Sequence, residues 1–239
     1  MNDIKLIAFD LDGTLTQHRS PLDPEHRAML EALAEKYRLL MVGAGACMRI
    51  FDQMERFPID IIGNYGLQYG KYDPQTGDLD IVRSDTLPCD RESVSARVAA
   101  LRERYGFTRF TGDSVEFHAS GAVTLPVLGT KAALSDKLAF DPDRSRRRAI
   151  YGEVCAAFPE YNVFIGGSSS FDMTPRPYDK LWALDRYCRD EGLAHAQAVY
   201  CGDDYGPGGN DEPLYRSDFR FICVDDYRQT PALLAEFLK

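Results

Sequence analysis

The sequence predicts an α/β protein, a parallel sheet of strands alternating with helices that is interrupted once by an inserted α+β module. Three observations predict it. Short apolar runs bounded by turn residues read as buried strands at 6–9, 38–42, 59–63, 198–201 and 220–224. Stretches with helical spacing lie between them, as at 23–36, where Met29, Leu30 and Leu33 share a face. Between 85 and 176 the rhythm changes to helix, two strands, helix, two strands. The expected domains are therefore 1–84 with 177–239, discontinuous, and 85–176, inserted.

Taken in order, the run from Leu6 to Phe9 ends in Asp10-Leu11-Asp12-Gly13-Thr14. The helix at 23–36 leads to the strand Arg38–Val42, the loop Gly43-Ala44-Gly45, and a helix expected from Ala46 to Arg56. Asp73-Pro74-Gln75-Thr76-Gly77 carries hairpin chemistry and leads into Leu79 to Val82. In the insert, Asp90 reads as the N-cap of a helix with Val94, Val98 and Leu101 inward, stopped at Gly106. Strands at 115–118 and 123–127 flank Ser120-Gly121. Arg144, Arg146, Arg147 and Arg148 open a second helix, running to Phe158, and read as its solvated face. Strands at 161–165 and 171–174 close the insert. A helix from Asp179 to Glu191, the loop Gly202 to Asp211, and a last helix from Thr230 to Leu238 follow.

Composition is that of an ordinary globular chain of 239 residues, 44% hydrophobic and 27% charged, enough for two modest domains. A net charge of -9 repels polyanions, so no nucleic-acid partner and no anionic membrane surface is expected. Nor does any apolar run approach the ~20 residues of a membrane span. Six scattered cysteines without a CxxC pair read as free thiols of a cytoplasmic protein.

Chemistry concentrates where strands end. Asp10 and Asp12 are anions one residue apart, and a cation or a shared proton must compensate them. Magnesium, which takes hard oxygen ligands, suits such a pair. In an open parallel sheet, Asp10, Asp12, the Gly43–Gly45 loop and Asp203 can meet beyond the carboxyl ends of the strands. Lys180 opens a helix that can reach the same crevice.

Asp-Leu-Asp-Gly-Thr-Leu-Thr after an apolar strand resembles the first motif of the haloacid-dehalogenase (HAD) superfamily. Ser168–Met173, Tyr178-Asp179-Lys180 and Gly202–Asp211, with its Pro-Gly-Gly-Asn-Asp run, narrow the likeness to the eukaryotic-type phosphomannomutases. The resemblance covers nearly the whole chain. It implies a HAD-like Rossmannoid core with an inserted α+β cap of the C2, type IIB kind, closing over the substrate. It implies that Asp10 is the nucleophile forming an aspartyl-phosphate and Asp12 the general acid and base. Magnesium would be held by the Asp10 carboxylate, the Asp12 backbone carbonyl and Asp203, with Asp211 supporting the ion through water or neighbouring ligands. Lys180 would neutralise the transferring phosphoryl group. Arg19, Ser170 and Asp172 match substrate-binding positions. A cap-mediated homodimer is also implied.

Two departures qualify the likeness. The second motif normally presents a Ser or Thr hydroxyl, whereas Gly43-Ala44-Gly45-Ala46 has none, leaving backbone N–H groups at Gly43 and Gly45 as anion donors. Three cap arginines that grip a distal phosphate align with His118, Thr130 and Lys137, and lysine cannot supply a guanidinium fork. The expectation placed first is a magnesium-dependent phosphatase of a small sugar phosphate or related metabolite. The alternative is a phosphomannomutase in which Lys131, Lys137 and Arg19 replace the missing grip. A third reading is a sugar-phosphate-binding protein with little turnover.

Overall fold

The computed structural model describes residues 3–239. The chain forms two compact units. One takes the described residues up to Ser84 together with Asp179–Gly206 and Asp211–Lys239; the other takes Asp85–Tyr178 and Pro207–Asn210.

The core unit is a seven-stranded sheet in the order β11-β10-β1-β2-β3-β4-β5. Its strands are β1 (Leu6–Phe9), β2 (Arg38–Val42), β3 (Asp60–Gly63), β4 (Gln68–Asp73), β5 (Asp78–Ser84), β10 (Ala198–Gly202) and β11 (Arg220–Cys223). The first five in spatial order run parallel, and β4 and β5 close one edge as an antiparallel hairpin. Because strand side chains alternate, Ile7 and Phe9 pack on one face with Met29, Leu30 and Leu33 of α1 (Pro24–Ala34). Leu6 and Ala8 face the other way, toward Ala183, Leu184 and Cys188 of α6 (Lys180–Asp190). Each buried Leu, Ile, Phe or Met among these contributes on the order of 1.5–3 kcal/mol. The chain leaves β1 toward β2 on one side and leaves β10 toward β11 on the other, so the C-terminal ends of the adjacent strands β1 and β10 flank the switch in strand order.

The inserted unit is a four-stranded antiparallel sheet, β6-β7-β9-β8. It is built from β6 (Glu116–Phe117), β7 (Val123–Pro126), β8 (Tyr161–Phe164) and β9 (Ser170–Pro175), with helices α3 (Arg91–Arg104), α4 (Leu134–Phe140) and α5 (Ser145–Ala157). Val94, Val98, Val154, Phe158, Phe171 and Met173 form its core. The 207–210 loop belongs to this unit, where the Ile165 amide donates to the Gly208 carbonyl at 2.8 Å. All six cysteines are free. Among the described residues no helix is long and apolar enough to cross a membrane.

Three expectations are corrected. Helix α2 (Cys47–Gln53) stops short of Arg56, because Glu55 and Arg56 take positive φ angles of 51° and 53°. The last helix, α7 (Thr230–Leu233), is a single turn that ends before Leu238. Arg147 is buried, not solvated: its guanidinium bonds the Asp141 carboxylate and the carbonyls of Gly166, Gly167 and Ser170. Charge patterning along a helix cannot show which of several clustered arginines turns inward.

Candidate active site

Asp10 follows directly on β1, and its amide donates to the Cys201 carbonyl of β10 at 2.9 Å, fixing the backbone where the carboxylate emerges. Lys180, at the first position of α6, is fully buried. Asp179 caps that helix by accepting the Trp182 amide, which sets the direction in which Lys180 enters. The Lys180 ammonium lies 2.9 Å from Asp10 Oδ1 and 2.7 Å from Asp211 Oδ1. Asp211 also accepts the Tyr200 hydroxyl at 2.6 Å and the Asp204 amide at 3.1 Å. Asp203, just beyond β10, accepts the Thr14 hydroxyl at 3.1 Å. Gly13 makes room for it: at φ 96° a side chain is disfavoured, and a Cβ would sit 2.4 Å from Asp203 Oδ2.

These groups are electrically unbalanced. Asp10, Asp203 and Asp211 offer carboxylate oxygens all within 4.8 Å of one another, against one ammonium. Burial pushes the Asp10 carboxyl up to about 6, opposed by Lys180. Burial, with Asp10 and Asp211 nearby, pushes Asp203 up to about 8. Burial works against the Lys180 charge, yet Asp10 and Asp211 hold its pKa above the usual lysine value. Burial and then Asp211 hold Tyr200 well above the ordinary phenol, so it remains a donor. An all-carboxylate donor set with excess negative charge fits a hard divalent cation. The oxygens of Asp211 are already engaged by Lys180, Tyr200 and Asp204, which suits a supporting role beside Asp10 and Asp203.

The Asp12 side chain lies outside that three-carboxylate cluster. It accepts the Arg19 backbone amide at 2.6 Å and Gln53 Nε2 at 2.7 Å, and Arg49 Nη1 lies 3.8 Å from it. Arg19 thus meets the site through its backbone, at φ 56°.

The glycine loop differs from expectation. Gly43 N–H donates to the Ile62 carbonyl at 2.9 Å, so it is not an open anion donor, and the Cys47 amide at the start of α2 is taken by Gln68 Oε1. Space above Gly45 is filled by the Arg49 guanidinium: a Cβ there would lie 2.1 Å from Nη2 and 2.4 Å from Nε.

In the inserted unit, His118 Nε2 lies 3.0 Å from Thr124 Oγ1, which donates to Asp172 Oδ1 at 3.2 Å. These three gather on the sheet, and Thr124 joins a pair that the sequence offered without it. Ser170 donates instead to the Gly166 carbonyl. Thr130 Oγ1 accepts the Asp113 amide, Lys137 donates to the Thr130 carbonyl at 3.2 Å, and Lys131 is exposed. None of these contacts joins Lys131 or Lys137 to the His118, Thr124 and Asp172 row. Thr14 lies inside the first motif and Arg49 and Gln53 share a helix face, so a signal existed for each; Tyr200 lies within an apolar strand and had none.

The model of the eukaryotic phosphomannomutase family matches residues 106–232, more than half of the chain. The probable phosphomannomutase of Caenorhabditis elegans is 25% identical over 229 residues, covering 89% of this chain and 87% of the relative. Phosphomannomutase 1 of Mus musculus is 26% identical over 225 residues, covering 88% and 82%. Among solved structures, the N-terminally truncated IMP-nucleotidase of Plasmodium falciparum superposes with a TM-score of 0.74 at 15% identity, covering 98% of this chain and 70% of that one. A HAD-superfamily phosphatase of Bacteroides thetaiotaomicron superposes with a TM-score of 0.62 at 14% identity, covering 99% and 96%. The two structural likenesses speak to fold.

Proposed function

Because the chain belongs to the eukaryotic phosphomannomutase family of the HAD superfamily, whose chemistry is phosphoryl transfer, we propose that it moves a phosphoryl group within a hexose phosphate through an aspartyl-phosphate on Asp10. The observation that carries this reading is the Asp10–Lys180–Asp211 chain of contacts at 2.9 and 2.7 Å, with Asp203 beside it.

An Asp10 oxygen attacks phosphorus in line, the bond from phosphorus to the sugar oxygen breaks, and an acyl phosphate forms. Asp12, held by Gln53 and the Arg19 amide, gives a proton to the departing alkoxide. Asp12 then takes a proton from the next acceptor hydroxyl, which recaptures the phosphoryl group and frees Asp10. Lys180 offsets negative charge on Asp10 and Asp211 as more of it gathers on the phosphoryl oxygens. The carboxylates of Asp10 and Asp203 would hold magnesium, which when bound neutralises phosphoryl charge and fixes its orientation.

The family relatives favour isomerisation over the hydrolysis placed first from sequence. Hydrolysis is a second reading with one observation in its favour. The positions expected to grip a distal phosphate hold His118, Thr130 and Lys137, whose polar atoms are bonded within their own unit and offer no guanidinium fork. A coupled assay with mannose 1-phosphate that counts hexose 6-phosphate against free phosphate tests the choice. Isomer outrunning phosphate is expected, and phosphate release alone would replace the mutase reading with a phosphatase.

A further inference from the structure

We infer that Arg49 replaces the missing second-motif hydroxyl and donates to the oxygens of the transferring phosphoryl group. The inference rests on the aspartyl-phosphate reading and is common to isomerisation and hydrolysis.

Four observations within the core unit converge on it. The loop Gly43-Ala44-Gly45-Ala46 offers no hydroxyl. Two of the amides flanking it are already engaged, that of Gly43 by Ile62 and that of Cys47 by Gln68. Helix α2 is only seven residues long, without a side-chain cap, and does not form an anion site by itself. Into the same place comes Arg49, in the first turn of α2, with Nη2 and Nε lying where a side chain on residue 45 would stand. The absent side chain and the present guanidinium are thus alternatives for one volume.

The orientation suits donation. Both recorded polar contacts of this guanidinium run through Nη1, to Gln53 Oε1 at 2.7 Å and toward Asp12 Oδ2 at 3.8 Å. Gln53 in turn holds Asp12 Oδ1 and Thr16. Nη1 is therefore the anchor, and Nε and Nη2 form the edge that can meet two oxygens of one phosphoryl group in a fork. Arg49 carries a full charge where the usual hydroxyl carries none, so it also partly offsets an Asp12 anion that must stay close to another anion.

The exchange can be reversed. Gly45 does not occupy the left-handed region, so its backbone accepts a side chain, and the clash is with the far end of a flexible arginine. The probe is beryllium trifluoride with magnesium, a mimic of the phosphoryl group on an aspartate, read by fluorine NMR and calorimetry, with p-nitrophenyl phosphate turnover beside it. Arg49→Ala should weaken fluoride-complex binding and kcat/KM by about 10²-fold, the usual cost of one oxyanion donor. Adding Gly45→Ser to Arg49→Ala should recover at least about tenfold, while Arg49→Lys should recover less because it lacks the fork. Arg49 is half-exposed, so these variants should fold as the parent does. Arg49→Ala binding the probe like the parent, or a double variant no better than Arg49→Ala, would overturn the assignment. A parent that binds the probe but leaves hexose phosphates untouched sinks the hexose-phosphate reading while the binding series still decides Arg49; no uptake by the parent sinks both.

Discussion

The two units bury charge for opposite ends. In the core, Lys180 faces Asp10 and Asp211 with Asp203 near, and the carboxylates outnumber the cation. In the insert, the buried Arg102 guanidinium donates to the carbonyls of Phe107, Ser114, Pro126 and Val127, and Arg147 is matched by Asp141 and further carbonyls. Charges bonded largely to backbone hold loops in place, whereas a carboxylate excess around one ammonium has the donor chemistry of a cation site. The difference separates residues whose loss should cost chemistry from those whose loss should cost only fold.

The largest effect that would break this division is expected at Lys180. Lys180→Ala leaves two buried carboxylates facing each other, so turnover should drop to background and stability by about 3–5 kcal/mol. Calorimetry and a phosphate-release assay check both; a variant with parental turnover would remove Lys180 from the site.

Arg102→Met should likewise cost about 3–5 kcal/mol by stranding carbonyls, measured by urea unfolding. Magnesium-dependent beryllium trifluoride uptake by the folded fraction should stay parental, since none of the contacts of Arg102 reaches the core carboxylates. Loss of uptake would show that the buried charge of the insert serves chemistry after all.

A smaller effect sharpens the picture of excess charge. Asp10 and Asp203 have pKa values raised in the folded chain, to about 6 and about 8, so their protonated forms favour folding. That contribution is full below the unfolded value of 3.8 and is lost as pH rises through about 6 and then about 8. In chelator, the melting temperature should therefore decline over that window more than in the Asp203→Asn variant. Magnesium should restore more at pH about 8 than at pH about 5, by preferential binding to the folded form. Equal magnesium effects at both pH values would mean that the carboxylate excess is not what binds it.

Much of the division was legible in the sequence, and for identifiable reasons. Buried parallel strands read as apolar runs, so β1, β2 and β10 could be placed, and with them Asp10 and Asp203 at strand ends. Capping at Asp90 gave one helix start correctly, and the helix expected from Asp179 begins one residue later, with Asp179 as its cap. Partners set by register were not legible. Tyr200 reaches Asp211 only because β10 turns it to that face, and Arg147 turns inward only because Asp141 and the carbonyls around Gly166 converge there. The short helix α4 escaped because a seven-residue segment with no buried residue carries little periodic signal. The loop around Gly45 shows the same limit, since an absent hydroxyl is visible in sequence and a guanidinium folded into its place is not.

The central claim is covalent transfer to Asp10, and the direct measurement is to mix the protein with phosphorus-labelled sugar phosphate and magnesium, quench in acid, count the label on one portion, reduce a second portion with borohydride, which releases the phosphate, and locate the reduced residue by mass spectrometry. The account predicts homoserine at position 10, label on the parent, and none on a folded Asp10→Asn variant. Label on another residue, or equal labelling of that variant, would contradict it.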